Sequence, residues 1–339
     1  MTDPRVDENV AEKLGFVDWE VVDKEGQIQT KLGITAAPIV GEFDTFKIDN
    51  EKYGNKVSYE VERTHIGNGM SSKTKLWLER AAQAQAIPDD LLKDLKSAMS
   101  KMEEQAYRIA ILENEYYTKV LTEGFKTVTA SFGPGSAVYD GKALFATDHI
   151  IADTGATYSN IVADDGNAAN YGALTFAHLK KAVKMLREMK DGLGIRMKRP
   201  ASGIYDLVVS PELEETALNI LSDSNGFSPY TFAGADAGNS NYGNVFMRDG
   251  FKVRLVVLET LNQPDSLGNT IGSETMWFVI NKEGANFRKA LRKLKFGDIS
   301  IKMFEDEDTR ATFITAEKFF GAQALYPEII VGSKGTGAI

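Results

Sequence analysis

The chain contains no cysteine. That excludes disulfides, thiol catalysis and cysteine-ligated metals together. It also fits a reducing compartment. Histidine is scarce: among 339 residues there are only His65, His149 and His178, and they form no recognised zinc spacing. No apolar run reaches the roughly 20 residues a membrane helix needs. The opening stretch, MTDPRVDENVAEKLGF, lacks the basic-then-apolar pattern of a cleaved signal. Nucleophile elbow, dinucleotide fingerprint and kinase motifs are missing as well. The expectation is a soluble chain made in a cytoplasm, with no membrane partner, no cofactor, no metal and no catalytic site.

Acidic residues outnumber basic ones, 48 to 39, giving a formal net charge of −9. That balance argues against a chain whose main task is gripping nucleic acid through phosphates. It is compatible with a container whose wall avoids sticking to polyanionic contents.

The most informative stretch runs from Pro88 to Gly124. Ile87-Pro88-Asp89-Asp90 reads as a helix start, with proline in the first turn and acids at the positive end of the dipole. Gly124 suits a helix stop. Between them Leu92, Leu95, Met99, Met102, Ala106 and Ile109 recur three and four apart. Glu113 breaks this seam, and Tyr116 and Val120 resume it. A helix of this length is roughly 55 Å long at 1.5 Å per residue, against a mean of about 11–12 residues. It overruns a compact core and needs contacts on other elements or other copies. Glu103, Glu104, Glu113 and Glu115 read as its solvated face.

Residues 1–36 read as an extended arm with a short helix near Glu8–Leu14. A frayed terminus is the alternative, but Phe16, Val17, Trp19, Val21 and Val22 want something to touch. Residues 37–68 read as a hairpin: Thr45 to Ile48 alternates, Asp49 to Asn55 is turn chemistry, and Val57 to Glu62 alternates again. A two-stranded ribbon is marginal alone in water, so it packs on its own domain or on a neighbour.

Further along, Leu144-Phe145 reads as a short buried strand in a loop-rich region. Leu174 to Lys190 reads as a helix capped by Thr175 and ended by Asp191-Gly192. Tyr205 to Val209 is a buried strand, and Ser210-Pro211 starts a short helix with Leu213, Ala217, Ile220 and Leu221 inside. Residues 222–244 form a polar loop, Val245 to Val257 a hairpin, and Met276 to Ile280 a buried strand. Ala311 to Phe320 and Ala322 to Val331 read as two strands closing the sheet, with a bend at Tyr326-Pro327. The tail from Gly332 to Ile339 is expected to be loose.

Charge alternates by segment near the end. Arg288, Lys289, Arg292, Lys293 and Lys295 are basic, and Glu305, Asp306, Glu307 and Asp308 are acidic. Asp148-His149 is the best local pair for acid–base work. A loop pair held by local hydrogen bonds is the alternative.

The run Asp140-Gly141-Lys142-Ala143-Leu144-Phe145-Ala146-Thr147-Asp148-His149, followed by Tyr158-Ser159-Asn160, resembles the DG-x-x-LF-x-x-x-H … SN signature of Mu-like phage major head subunits. The later order of parts is similar up to about residue 280: the 174–190 helix, Leu207-Val208-Val209-Ser210-Pro211-Glu212-Leu213-Glu214, then Trp277-Phe278. The match weakens after residue 285. That family resembles the tailed-phage capsid proteins with the HK97-type fold.

The resemblance implies an α+β chain with mixed peripheral and axial sheets. The N-terminal arm would be 1–36 and the extended hairpin loop 37–70. The peripheral domain would be 71–194 and 286–339, with its spine helix at 88–124. The axial domain would be 195–285. It implies a major capsid protein that self-assembles into the icosahedral head shell around double-stranded phage DNA, without sequence-specific binding. Partners would be copies of itself in hexamers and pentamers, with scaffold, portal and decoration proteins. Its place would be the virion capsid, and the host cytoplasm during assembly. Candidate contacts between subunits are Phe46, Ile48, Tyr53, Val57 and Tyr59 on the ribbon. Arg288, Arg292 and Lys293, and Glu305, Asp306, Glu307 and Asp308, would meet by charge. His149 enters as a structural residue. Three other readings stay open: an encapsulin-like compartment with cellular cargo, a small hydrolase using Asp148 and His149, and a tail or scaffold protein built on the long helix.

Overall fold

In the computed structural model the described residues are 9–24, 27–31, 42–53, 56–65, 71–88, 95–127, 138, 140–151, 155–190, 196–197, 199–221, 252–265, 268–283, 291–306, 311–324 and 326–339. The expected loop at 222–244 and Asp191-Gly192 lie outside them.

The arm begins with helix α1, Val10–Leu14. The Asn9 side chain accepts from the Glu12 backbone N–H and donates to the Glu12 carboxylate, both at 3.1 Å. The first bond is an N-cap; in the second the Glu12 carboxylate takes the Asn9 side-chain amide, not the backbone N–H of a full capping box. Val10, Ala11 and Leu14 are buried, and the Phe16 ring lies 5.0 Å from that of Tyr117. Phe16 therefore touches the long helix, and residues 9–24 are held by α1 and the β1 ladder, so the frayed-terminus alternative fails there. Strands β1 (Val17–Lys24) and β2 (Gln27–Lys31) follow as an antiparallel pair.

Strands β3 (Glu42–Tyr53) and β4 (Lys56–His65) form the expected hairpin. Its turn is shorter than the sequence suggests. Asp49 to Tyr53 stay in the strand, and the register shifts between Ile48 and Lys52. An irregularity of this kind takes up extra residues without ending a strand.

β4 pairs with β5, Ser71–Pro88, and this corrects the start of the long helix. Ile87 and Pro88 lie opposite Thr312 and Ala311 in a ladder. Proline lacks an N–H donor, so the end of a strand suits it as well as a first helical turn does. Helix α2 runs Leu95–Thr122 among the described residues. Ile109, Tyr116 and Val120 of its seam are buried.

Strands β11 (Leu291–Asp306) and β12 (Ala311–Ala324) complete a seven-stranded sheet of order β2-β1-β11-β12-β5-β4-β3. Every neighbouring pair is antiparallel except β1 with β11.

A second sheet of four strands has the order β13-β10-β8-β9. β8 is Ile204–Val209, β9 Lys252–Val257, β10 Trp277–Ile280 and β13 Ile330–Ser333. β9 pairs in parallel with β8. The first half of the expected 245–257 hairpin lies outside the described residues. β10 and β13 are buried at every position. The Trp277 indole donates to the Gly172 carbonyl at 3.1 Å. A buried tryptophan needs such a partner for its N–H.

The end of the chain departs from expectation twice. The 311–331 segment is one long strand and then a crossing into the other sheet. A 3-10 turn at Pro327–Ile329 re-aims the chain, and β13 pairs with β10. The tail is docked. Tyr171 N–H donates to Gly337 O at 2.9 Å and Ile339 N–H to Ala169 O at 2.8 Å.

Helix α3, Phe176–Glu188, has its expected cap: the Thr175 hydroxyl accepts from His178 N–H at 3.2 Å. Leu179, Ala182, Val183 and Leu186 form its buried face. The 3-10 turn Pro211–Leu213 leads into α4, Glu214–Leu221, which buries Ala217. Ser210 occupies the cap position, yet its hydroxyl donates to Glu274 O at 3.0 Å.

Candidate functional site

Two regions carry the residues the sequence singles out. One is the loop between α2 and α3, and the other is the seven-stranded sheet.

In the loop, Asp140-Gly141 makes its turn, and strands β6 (His149–Ile150) and β7 (Thr157–Tyr158) pair briefly. Leu144 and Phe145 are buried as expected but lie in bends, not in a strand. The Phe145 ring stacks on Phe125 at 4.5 Å and on Phe278 at 5.5 Å. Gly332 of β13 sits against the same ring. A Cβ there would lie 2.7 Å from it.

His149 is fully buried. Its Nδ1 is 2.8 Å from Asp140 Oδ2, its Nε2 is 3.1 Å from Leu144 O, and its ring stacks on Tyr158 at 5.3 Å. Its partner is thus Asp140, not the adjacent Asp148. Asp148 pairs with Lys142 instead. Asn160 completes the joint. Its Oδ1 accepts from Ala146 N–H at 2.9 Å, and its amide donates to Leu144 O at 2.7 Å and Pro327 O at 3.3 Å.

Burial pulls the Asp140 carboxyl upward, but the hydrogen bond and charge of His149 outweigh it. Backbone N–H groups of Lys142 and Ile150 add to them, and the carboxyl stays below its usual value. Both nitrogens of His149 are engaged and water is excluded. A general base needs one nitrogen open to substrate, so the Asp148/His149 hydrolase reading loses its geometry. The described residues hold no group of acidic and histidine side chains fit for a metal.

A cavity of about 470 Å³ lies where the arm meets the four-stranded sheet. Its charged groups are committed to neighbours. Arg254 grips Asp206 through two bonds of 2.8 Å, and Glu283 accepts from Ser202 N–H at 3.1 Å.

In the large sheet, Phe46, Ile48 and Tyr53 lie on β3, the edge strand, with Val57 and Tyr59 on β4 beside it. Arg292 and Lys293 sit at one end of β11, and Glu305 and Asp306 at the other. Arg292 and Glu305 are therefore about 40 Å apart along the strand, at ~3.3 Å per residue. The described parts of the two charged segments do not meet within one chain. Instead β1 brings its acids alongside: Asp18 is opposite Lys293, and Glu20 opposite Lys295. Arg288, Glu307 and Asp308 lie outside the described residues.

The sequence missed the ties of the long helix. Glu113, at the break in the seam, accepts from the Tyr117 hydroxyl at 2.5 Å and from Lys318 of β12. Lys119 pairs with Asp265 at 2.8 Å, and the Thr118 and Thr260 hydroxyls are 2.6 Å apart. A polar residue inside an apolar seam was the available signal.

Comparison with known proteins gives one family and a set of folds. The phage capsid protein family matches residues 82–331. No curated protein sequence matches the chain. Among solved structures, the capsid of a native GTA particle is 10% identical, with 98% of this chain and 91% of that chain covered at a TM-score of 0.46. The mature capsid of bacteriophage PhiM1 is 12% identical, with 94% and 84% covered at 0.43. A virus-like particle from Pyrococcus furiosus is 10% identical, with 97% and 98% covered at 0.42.

Proposed function

The chain belongs to the phage capsid protein family, and from that premise we propose how its parts build a shell. It is a major capsid shell protein with a phage capsid-like α+β fold. Within that class we assign it to the HK97-type, Mu-like group, on the Asp140–His149 and Tyr158–Asn160 signature.

Hexamers and pentamers of this chain close into an icosahedral head around double-stranded DNA, through heterologous contacts that curve. The observation that carries this reading is the split of charge along β11. Its basic start and acidic end lie at opposite ends of one long strand, which suits a head-to-tail contact in which the acidic end of one copy meets a basic end of the next. Such pairs fix register and partner choice more than affinity. The β3–β4 hairpin at the sheet edge reaches over the adjacent copy. The net charge of −9 keeps the wall from clinging to DNA. The arm, hairpin loop, peripheral and axial divisions carry over, with one change: β13 belongs with the axial sheet. Scaffold, portal and decoration proteins complete the head, and assembly takes place in the host cytoplasm.

The test is negative-stain electron microscopy with light scattering on the purified protein and two variants. One reverses Glu305 and Asp306 to lysine, and the other replaces 42–65 by a short turn. Shells or capsomers from the native chain, and smaller species from both variants at low salt, are expected. A native chain that stays monomeric with the 42–65 hairpin protected from protease sinks the reading. Nucleic acid inside the particles separates a phage head from a compartment loaded with protein.

A further inference from the structure

His149 and His178 have opposite surroundings. At His178, Nδ1 lies 2.7 Å from Ala173 O, and Nε2 receives the Asp165 N–H at 3.2 Å. One nitrogen donates and the other accepts, so hydrogen bonding alone does not demand a second proton there, and the Asp164 and Asp165 carboxylates stand off at 3.8 Å from Nε2. At His149, both nitrogens face oxygens that only accept: the Asp140 carboxylate at 2.8 Å and the Leu144 carbonyl at 3.1 Å. Only a ring carrying protons on both nitrogens can donate to both.

We infer that the joint between the 140–162 loop and the Pro327 segment is locked by the doubly protonated form of His149 and loosens when that ring gives up a proton. Either neutral tautomer leaves a bare nitrogen lone pair against an oxygen. The site is closed to water, so the bare ring nitrogen has no donor to meet it and is held against an oxygen lone pair. The Leu144 carbonyl sits at the centre because it also receives the Asn160 amide at 2.7 Å. Asn160 in turn holds Pro327 O, just before β13 crosses into the buried sheet. A change at the ring therefore reaches the strand that closes the second sheet.

The titratable neighbours are few. Asp140 and Tyr158 face the ring directly. Lys142 and Asp148 pair with each other on the outer side of the turn, and Glu328, next to Pro327, is buried. Asp140 supplies the negative charge, and two backbone N–H groups hold that carboxylate ionised. The lock acts within a single subunit, so it holds whether or not the shell reading above is right.

The decisive variant is Asp140→Asn. An asparagine amide can donate to Nδ1, so in that variant the neutral ring is the one that fits. The sign of the pH dependence then inverts. The measurement is the thermal unfolding midpoint of the unassembled subunit as pH is raised through and above the imidazole range. The native chain should lose stability on the alkaline side. D140N should hold or gain over the same interval, and His178→Gln should keep the native loss. A purely structural role for the pair would lower the midpoint of D140N at every pH without changing its slope, and that result overturns the proposal. Nitrogen-15 spectra of the ring provide a reading that does not depend on D140N folding. With only three histidines, signals are assigned by substituting His65 and His178. His149 should show two protonated nitrogens below the transition. An unprotonated nitrogen on His149 at that pH rejects the lock.

Discussion

Lys318 donates to Glu113, and this ion pair ties the long helix to the seven-stranded sheet. The side chains are 20% and 18% exposed, so solvent screens them only in part. Changing Glu113 to Gln should cost about 1–2 kcal/mol, because the Lys318 charge then faces a neutral acceptor. A denaturation double-mutant cycle of E113Q with K318M should show coupling of about 0.5–2 kcal/mol. Additive losses would mean that the pair is a surface contact with no structural consequence.

The second sheet is covered by helix α3, and Leu179 on that helix is fully buried. Leu179→Ala should destabilise the subunit by about 2–5 kcal/mol through lost transfer energy and the cavity left behind. Leu218 is 50% exposed, and its alanine variant should change stability by no more than ~0.5 kcal/mol. Urea titration of both variants reads the contrast, and equal losses would contradict the burial.

Gly335 has a φ of +77°, and a Cβ there would lie 2.1 Å from the Thr275 carbonyl. Gly335→Ala should therefore release the tail while leaving the core intact. Amide exchange at Tyr171, whose N–H is held by Gly337 O, should accelerate strongly with little change in the melting midpoint. Unchanged exchange at Tyr171 would show that the tail tolerates the side chain.

Acid acts on the same joint through Asp140, whose carboxyl is held below its usual value by His149 and two backbone N–H groups despite its burial. A depressed carboxylate contributes stability that is fully present above the unfolded value of about 4. That stability is lost as pH falls through the lower native value. Acid titration of the native chain and D140N should show a steeper loss in the native chain across that window. Parallel curves would remove Asp140 from the account.

Much of the local structure was legible. The Thr175 cap, the α3 stripe, the buried β8 strand and the turn into α4 all follow from short-range chemistry. Pro88 was misread because its missing N–H suits two positions equally, a helix start and a strand end. The bend at Tyr326-Pro327 was visible, but the sheet it leads to was not. Ile330 finds Ile280 across fifty residues of sequence, and no local pattern encodes that choice. At the joint, adjacency suggested Asp148 as the partner of His149, and the structure chose Asp140, nine residues away. The signature contains both residues, so the pairing was within reach once its first and last positions were read as one unit.

The placement of β13 has a consequence for synthesis. Three strands of the buried sheet leave the ribosome early, but the fourth spans residues 330–333 and pairs with β10. A nascent chain that stops before residue 333 exposes the apolar edge of β10 and the face of Phe145. Such a chain is a candidate for aggregation or chaperone capture. Folding of this sheet is thus coupled to translation past Ser333, and truncated products cannot offer a finished subunit to a growing assembly.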